Sequence, residues 1–226
     1  YAGAVEQEVP YTATLVRTIT SRRSEQLNEF INVWEDQEVG HGVILDHIAR
    51  NIGVECVPRI DKTAAKMRAL GLAAKYSDTI ADIAQHIYLV DGAIAEDETM
   101  TAYRLIAKTL GEQGESDLAV PLIDIAAQEA RHRAYYIDAA RESNPSRLTM
   151  AATKLFVEKS YLPVGIPSGN TERMIMFGDA ILGTVGEDYS AVTDSAEALA
   201  YDLVGAEPGF LSESYDKCIE MSKAAA

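Results

Sequence analysis

This sequence predicts an all-α fold, a bundle of four long helices with further helices flanking and following it. Three observations carry the expectation. Apolar residues recur at spacings of three and four rather than two, as on a helix face and not on a strand. Glycine and proline are too sparse inside the long segments for an all-β chain. Two of those segments also share a pattern, a glutamate followed three residues later by a histidine. It occurs at Glu38 and His41, and again at Glu129 and His132.

The chain has 226 residues, 47% hydrophobic and 24% charged, which suits one domain over 1–226 with a sizeable core. A core bundle is expected over about 4–141 and a C-terminal helical extension over about 148–226. No apolar run is long enough to predict a membrane span. Tyr1 to Glu6 show neither an initiator Met nor a basic n-region, so no secretory signal is visible. Cys56 and Cys218 match no zinc or redox spacing and are expected as separate thiols in a reducing cytoplasm. A formal charge of −15 argues against duplex nucleic acid, which needs a positive footprint. Carboxylates that hold cations would neutralise part of that excess.

A first helix is expected over 4–20, with Glu8, Thr12, Leu15 and Ile19 on one stripe and Pro10 awkward unless it lies in the first turn. Ser24 can cap a long helix over 24–52, with Leu27, Phe30, Ile31, Trp34, Glu38, His41, Leu45 and Ile48 inward. Gly40 and Gly42 inside it cost about 1 kcal/mol each relative to Ala, which points to a tight contact or crowding beside a site. A shorter helix over 58–70 opens at Pro58 and closes at Gly71. Long helices follow over 78–111, with Glu96 in its middle, and over 116–141, with Glu129 and His132, stopping before Asn144-Pro145. A helix over 148–160 is interrupted by the Leu162 to Gly169 stretch, and weaker helices lie around 171–183, 188–205 and 210–223.

On a helix, three residues are about 300° of rotation, so each Glu and its His leave the same face one turn apart. Two such pairs plus one further Glu from each partner helix form the ligand set of a di-iron or di-manganese four-helix bundle. Glu96 supplies the further Glu for the second pair, being flanked by Ala93 and Met100, and Glu98 is expected to face solvent or a neighbour. For the first pair Glu8 is expected, thirty residues before Glu38 and on the apolar stripe, and Glu6 is the alternative.

The blocks around these residues resemble the soluble acyl-[acyl-carrier-protein] desaturases of the ferritin-like di-iron superfamily. Trp34-Glu35-Asp36-Gln37-Glu38-Val39-Gly40-His41-Gly42 is similar to that family's first block, and Gln128-Glu129-Ala130-Arg131-His132 with Ala134-Tyr135 to its second. Glu96-Asp97-Glu98-Thr99 matches its Glu-x-x-Thr, and Glu6-Gln7-Glu8-Val9-Pro10 loosely matches the stretch with its first ligand, where an offset can arise. The resemblance spans roughly residues 5 to 165. It implies two Fe(II)/Fe(III) ions, with Mn/Fe accepted by the same ligands, and O2 as co-substrate. It also implies an acyl chain borne on an acyl-carrier protein, a ferredoxin or other external electron donor, and a homodimer. Thr99 takes from it a role beside the metals in the oxygen pocket; read alone, Thr99 is equally a helix hydroxyl bonded back to a carbonyl. The family usually has an acidic residue before each ligating Glu, where this chain has Gln37 and Gln128. An amide can orient an imidazole but brings no charge. That paired change leaves hydroxylation or N-oxygenation open beside desaturation, and a ferritin- or rubrerythrin-like iron or peroxide handler is the further alternative.

Breaking an unactivated C–H bond needs an oxidant stronger than any side chain, so that chemistry belongs to the metal. Leu89, Val90, Ala93, Ile123, Ala126, Ala127 and the 161–169 loop are expected to wall an apolar substrate path. An acidic carrier protein would dock on Arg17/Arg22/Arg23 or Arg59/Lys62/Lys66/Arg68.

Overall fold

A computed structural model describes residues 1–20, 24–58, 65–166, 170–186 and 188–226, with only the backbone of 65–68 and 70. Every regular element among them is an α-helix. The chain divides into two compact units, Tyr1–Tyr88 and Leu89–Ala226, and the division falls inside one long helix.

The first unit opens with α1 (Ala2–Glu6) and α2 (Val9–Thr20) rather than one continuous helix. Pro10 explains the break. It has no N–H for the carbonyl four residues back, and its ring clashes with that carbonyl, which is Glu6's. The helix therefore ends at Glu6 and restarts with Pro10 in the first turn, where its missing donor costs little. Helix α3 (Glu25–Asn51) follows, capped by Ser24, whose Oγ accepts from the Leu27 N–H at 3.1 Å. The α2–α3 joint is tied by the Asn28 amide, which donates to the Thr20 and Ser24 carbonyls.

The α1–α3 contact is close. A Cβ at Gly42 would lie 2.8 Å from the Gly3 carbonyl oxygen and one at Gly3 would lie 2.9 Å from that of Gly42, so only glycine fits at either place. Gln7 Nε2 then donates to Asp46 Oδ2 at 2.9 Å. The expected crowding is thus at Gly42, whereas a Cβ at Gly40 would meet nothing within 4 Å. Helix α4 (Ala65–Ala74) runs through Gly71 instead of closing there. Gly71 faces Leu15 of α2, whose Cδ1 would lie 2.5 Å from an added Cβ, so this glycine serves packing and not termination.

Helix α5 (Asp78–Glu112) has 35 residues, about 52 Å of rise. In the second unit its later turns pair with α6 (Ser116–Glu142), where Gly92 lies under the Tyr136 ring. Arg133 of α6 forms an ion pair with the buried Asp97 of α5. Helix α6 ends as expected, with Asn144 at φ 44° just before Pro145. Next come α7 (Arg147–Ser160), capped by Ser146, and α8 (Thr171–Thr184), capped by Asn170. Helices α9 (Ser190–Val204) and α10 (Phe210–Ala225) complete the chain.

The C-terminal helices are closely packed. Gly178 of α8 lies under the Cys218 carbonyl of α10, where a Cβ would come within 2.4 Å. Glu197 of α9 reaches the start of α10 and accepts from the Gly209, Leu211 and Ser212 N–H groups at 2.7, 3.0 and 3.0 Å. It satisfies three of the donors that a helix start leaves open. Neither cysteine is in a disulfide, and Cys218 is buried. Among the described residues no helix is long and apolar enough to cross a membrane.

Candidate metal-binding site

Each unit holds a triad of two carboxylates and an imidazole. In the first unit Glu6, Glu38 and His41 are buried and offer ligand atoms within 4.8 Å of one another. Glu6 stands at the end of α1, held by the Gly3–Gly42 contact, and Glu38 and His41 stand one turn apart on α3. His41 Nδ1 lies 3.7 Å from Glu38 Oε2. In the second unit Glu96 of α5 and Glu129 and His132 of α6 form the matching group, again within 4.8 Å and buried. His132 Nδ1 lies 2.9 Å from Glu129 Oε2 and 3.9 Å from Glu96 Oε2. In both triads the δ nitrogen is thus the one turned toward the carboxylates.

Of the two carboxylates open for the first pair, the structure groups the alternative with Glu38 and His41. Glu6, not Glu8, groups with Glu38 and His41; Glu8 sits in the turn between α1 and α2 and is half-buried. The break at Pro10 resets the helical phase, so the stripe through Thr12 and Leu15 does not extend back to the site. The sequence held a sign of this. Glu96 precedes Glu129 by thirty-three residues, and Glu6 precedes Glu38 by thirty-two, against thirty for Glu8.

Two carboxylates packed together in a buried site repel one another and lose hydration, a cost that a divalent cation offsets. The donor set, oxygen with some imidazole, suits a first-row dication such as iron or manganese.

Thr99 is half-buried and donates to the Ala95 carbonyl at 2.9 Å, the back-bonded arrangement open to it from sequence. Gln37 and Gln128 are half-buried beside the buried Glu38 and Glu129. Leu89, Val90, Ala93 and Ala126 are buried. Ile123 and Ala127, expected as walls of a substrate path, instead face outward from α6, because they lie on the side opposite Ile125, Ala126 and Glu129. In the loop, residues 167–169 lie outside the described residues. Of the basic clusters, Arg22, Arg23, Arg59 and Lys62 and the side chains of Lys66 and Arg68 also lie outside them. Arg17 is already engaged by Asn32, at 2.8 Å, and by Glu35.

Glu98 was missed. It does not face solvent but is 2% exposed, accepting from Tyr161 Oη at 2.5 Å and Tyr215 Oη at 2.8 Å. Burial pushes its carboxyl up to about 8 against the pull of the two phenols, and burial raises Asp91 to about 7. Both tyrosines are held well above the usual phenol range, first by burial and then by the Glu98 charge. No local pattern marks Glu98, because both its partners come from beyond residue 160.

The sequence model of one family, described as fatty acid desaturase, matches residues 6–177, most of the chain. The chain belongs to that family. As a fatty acid desaturase family member with two buried acid-and-histidine groups, it is a di-iron, O2-using oxidoreductase. Its all-helical architecture is the ferritin-like helix bundle of that superfamily with additional helices. No curated protein and no solved structure matches the chain.

Proposed function

We propose that the two triads belong to one ferritin-like domain and together hold two iron ions. The substrate we propose is a fatty acyl group on an acyl-carrier protein, and the reaction its desaturation. The observation that carries this reading is the doubled triad, Glu6/Glu38/His41 and Glu96/Glu129/His132, inside the stretch that the desaturase family covers. Iron bound there supplies O2 activation and the oxidising power for the C–H bond.

The residues of this chain have the remaining roles. The four glutamates would balance the charge of two cations, and the two imidazoles would offer their δ nitrogens. Gln37 and Gln128 orient the rings without adding charge. Thr99, one turn beyond Glu96, would turn its hydroxyl from the Ala95 carbonyl and hold a proton beside the site. Leu89, Val90, Ala93 and Ala126 exclude water beside the acyl chain. The two electrons each turnover needs come from a ferredoxin or similar protein, since the sequence carries no flavin or nicotinamide fingerprint. The paired glutamines favour a second reading, hydroxylation or N-oxygenation by the same site, because they alter the donor strength of both histidines.

The test is anaerobic ferrous loading, then reductant, O2 and a panel of carrier-linked acyl chains, read by mass. Loss of two hydrogens is expected; gain of one oxygen would select the second reading, and neither change on any chain would reject acyl chemistry. A titration of the ferrous protein tests the ligand assignment. Glu6→Gln should weaken iron binding at least tenfold, in line with changes around metal sites, and Glu8→Gln should leave it near wild type.

A further inference from the structure

Glu38, Gly42 and Asp46 follow at four-residue steps along α3, so they share the side that meets α1. Each touches part of the same turn. Glu38 groups with Glu6 in the first triad, and Gly42 lies against Gly3 and Gln7. Asp46 stands across that turn with one oxygen for each of its ends. Its Oδ1 lies against Gly3, where an added Cβ would run into it, and its Oδ2 accepts from Gln7 Nε2 at 2.9 Å. The turn itself is closed by the Gln7 N–H, which donates to the Gly3 carbonyl at 3.2 Å. Glu6 is carried inside it. Asp46 belongs to neither triad.

We propose that Asp46 is a positioning residue for Glu6: through Gln7 it holds α1 on α3, and so sets how tightly the first triad binds its ion without acting on the second. The inference rests on the two-ion reading above. Pro10 ends α1 at Glu6, so α2 does not fix the phase of that carboxylate and the contact with α3 does. Gln7 is the residue next to Glu6, and its bond to a carboxylate is stronger than one between neutral groups. Glu38 and His41 need no such help, since one turn of α3 holds both. The second triad is fastened by other residues. Glu96 lies well inside α5, and the ion pair of Asp97 with Arg133 ties the residue after Glu96 to the residue after His132. Loss of Asp46 leaves that pair intact. A ligand already held in place binds its ion without the cost of being ordered.

Binding of ferrous ion under argon, with no substrate present, tests it. Wild type is expected to take two ions. Asp46→Ala should bind one of them about tenfold more weakly, the scale of a change just behind a metal ligand, and the other within about twofold of wild type. Gln7→Met, which nearly keeps the side chain's length and removes the donor, should do the same. The double variant should be no worse than either single one, because all three lack the same bond. Asp46→Asn keeps an oxygen for Gln7 and should recover most of the loss. In a His41→Ala background, where the first triad is already broken, Asp46→Ala should change nothing further. Equal weakening of both ions overturns the proposal, since a general loosening of the fold would do that. So does an unchanged affinity, or a double variant in which the two losses add. If Asp46→Ala fails to fold, as circular dichroism would show, Gln7→Met decides alone. A wild type that takes up no iron rejects the metal reading itself. Hydrogen exchange of the metal-free chain then decides whether Asp46 holds α1: its amides should exchange faster in Asp46→Ala, and an unchanged rate overturns the proposal.

Discussion

At the scale of single residues, Gly40 and Gly42 should respond in opposite ways to one added methyl. Gly40→Ala meets no neighbour and gains helix propensity, so stability should rise by about 0.5–1 kcal/mol in urea unfolding. Gly42→Ala drives a carbon toward the Gly3 carbonyl and should cost about 1–3 kcal/mol. It should also weaken ferrous binding, because Glu6 rides on the displaced α1. Asp91 gives a pH test. Its acid is raised to about 7 from an ordinary 3.8, so the folded chain binds a proton that the unfolded chain has released. That contribution is fully present below about pH 4 and is lost as pH rises through 7. In Asp91→Asn the fall in stability over that window should be shallower than in wild type, and equal slopes would show that Asp91 does not titrate there. The inner pairs Glu38/His41 and Glu129/His132 were legible because each lies within one helical turn, where spacing alone sets the face. Glu6 stayed an alternative to Glu8, because Pro10 resets the phase between Glu6 and Leu15. Glu98 was out of reach because both its partners are distant in sequence.

At the scale of elements, α3 begins where the sequence predicts, since the Ser24 oxygen can be recognised as a cap locally, and α7 and α8, which Ser146 and Asn170 cap, begin within a residue of the expected 148 and 171. Helix α10 has no such residue at its N-cap, which is Gly209. Its cap comes from another helix, through Glu197. Glu197→Ala should therefore unbind three backbone N–H groups at once and cost about 2–4 kcal/mol, more than the loss of a single cap. Amide exchange should quicken in the first turn of α10 while α5 and α6 stay protected. Glu197→Gln keeps an oxygen acceptor but loses the charge, and should recover part of the loss. The same locality explains α4, where a glycine read as a stop is a contact point for Leu15, something visible only once α2 packs against it.

For the whole molecule, crowded buried carboxylates make the metal-free protein less stable than the loaded one. With iron held at about a hundred times its dissociation constant, linkage adds about 2.7 kcal/mol of stability. For a chain of this length that is roughly 5–10 °C in Tm. Removal by a chelator should lower the melting temperature by that amount, and re-addition of ferrous ion under argon should restore it. A Glu129→Ala variant should show a smaller response. The all-helical class was legible from periodicity, and most helix limits were placed to within a few residues. The sequence expected a bundle followed by an extension. Within the second unit Tyr161 and Tyr215, from beyond the expected bundle, meet Glu98 of α5.

That carboxylate also makes its position a diagnostic of what packs over it across the superfamily. With both phenols replaced by apolar side chains of the same bulk, a glutamate at position 98 would be sealed away with neither solvent nor either donor. Homologues that lack both tyrosines there should therefore have replaced it with an aliphatic or small side chain. A glutamate there would forecast, from one letter of sequence, that a tyrosine-bearing tail folds back to meet it.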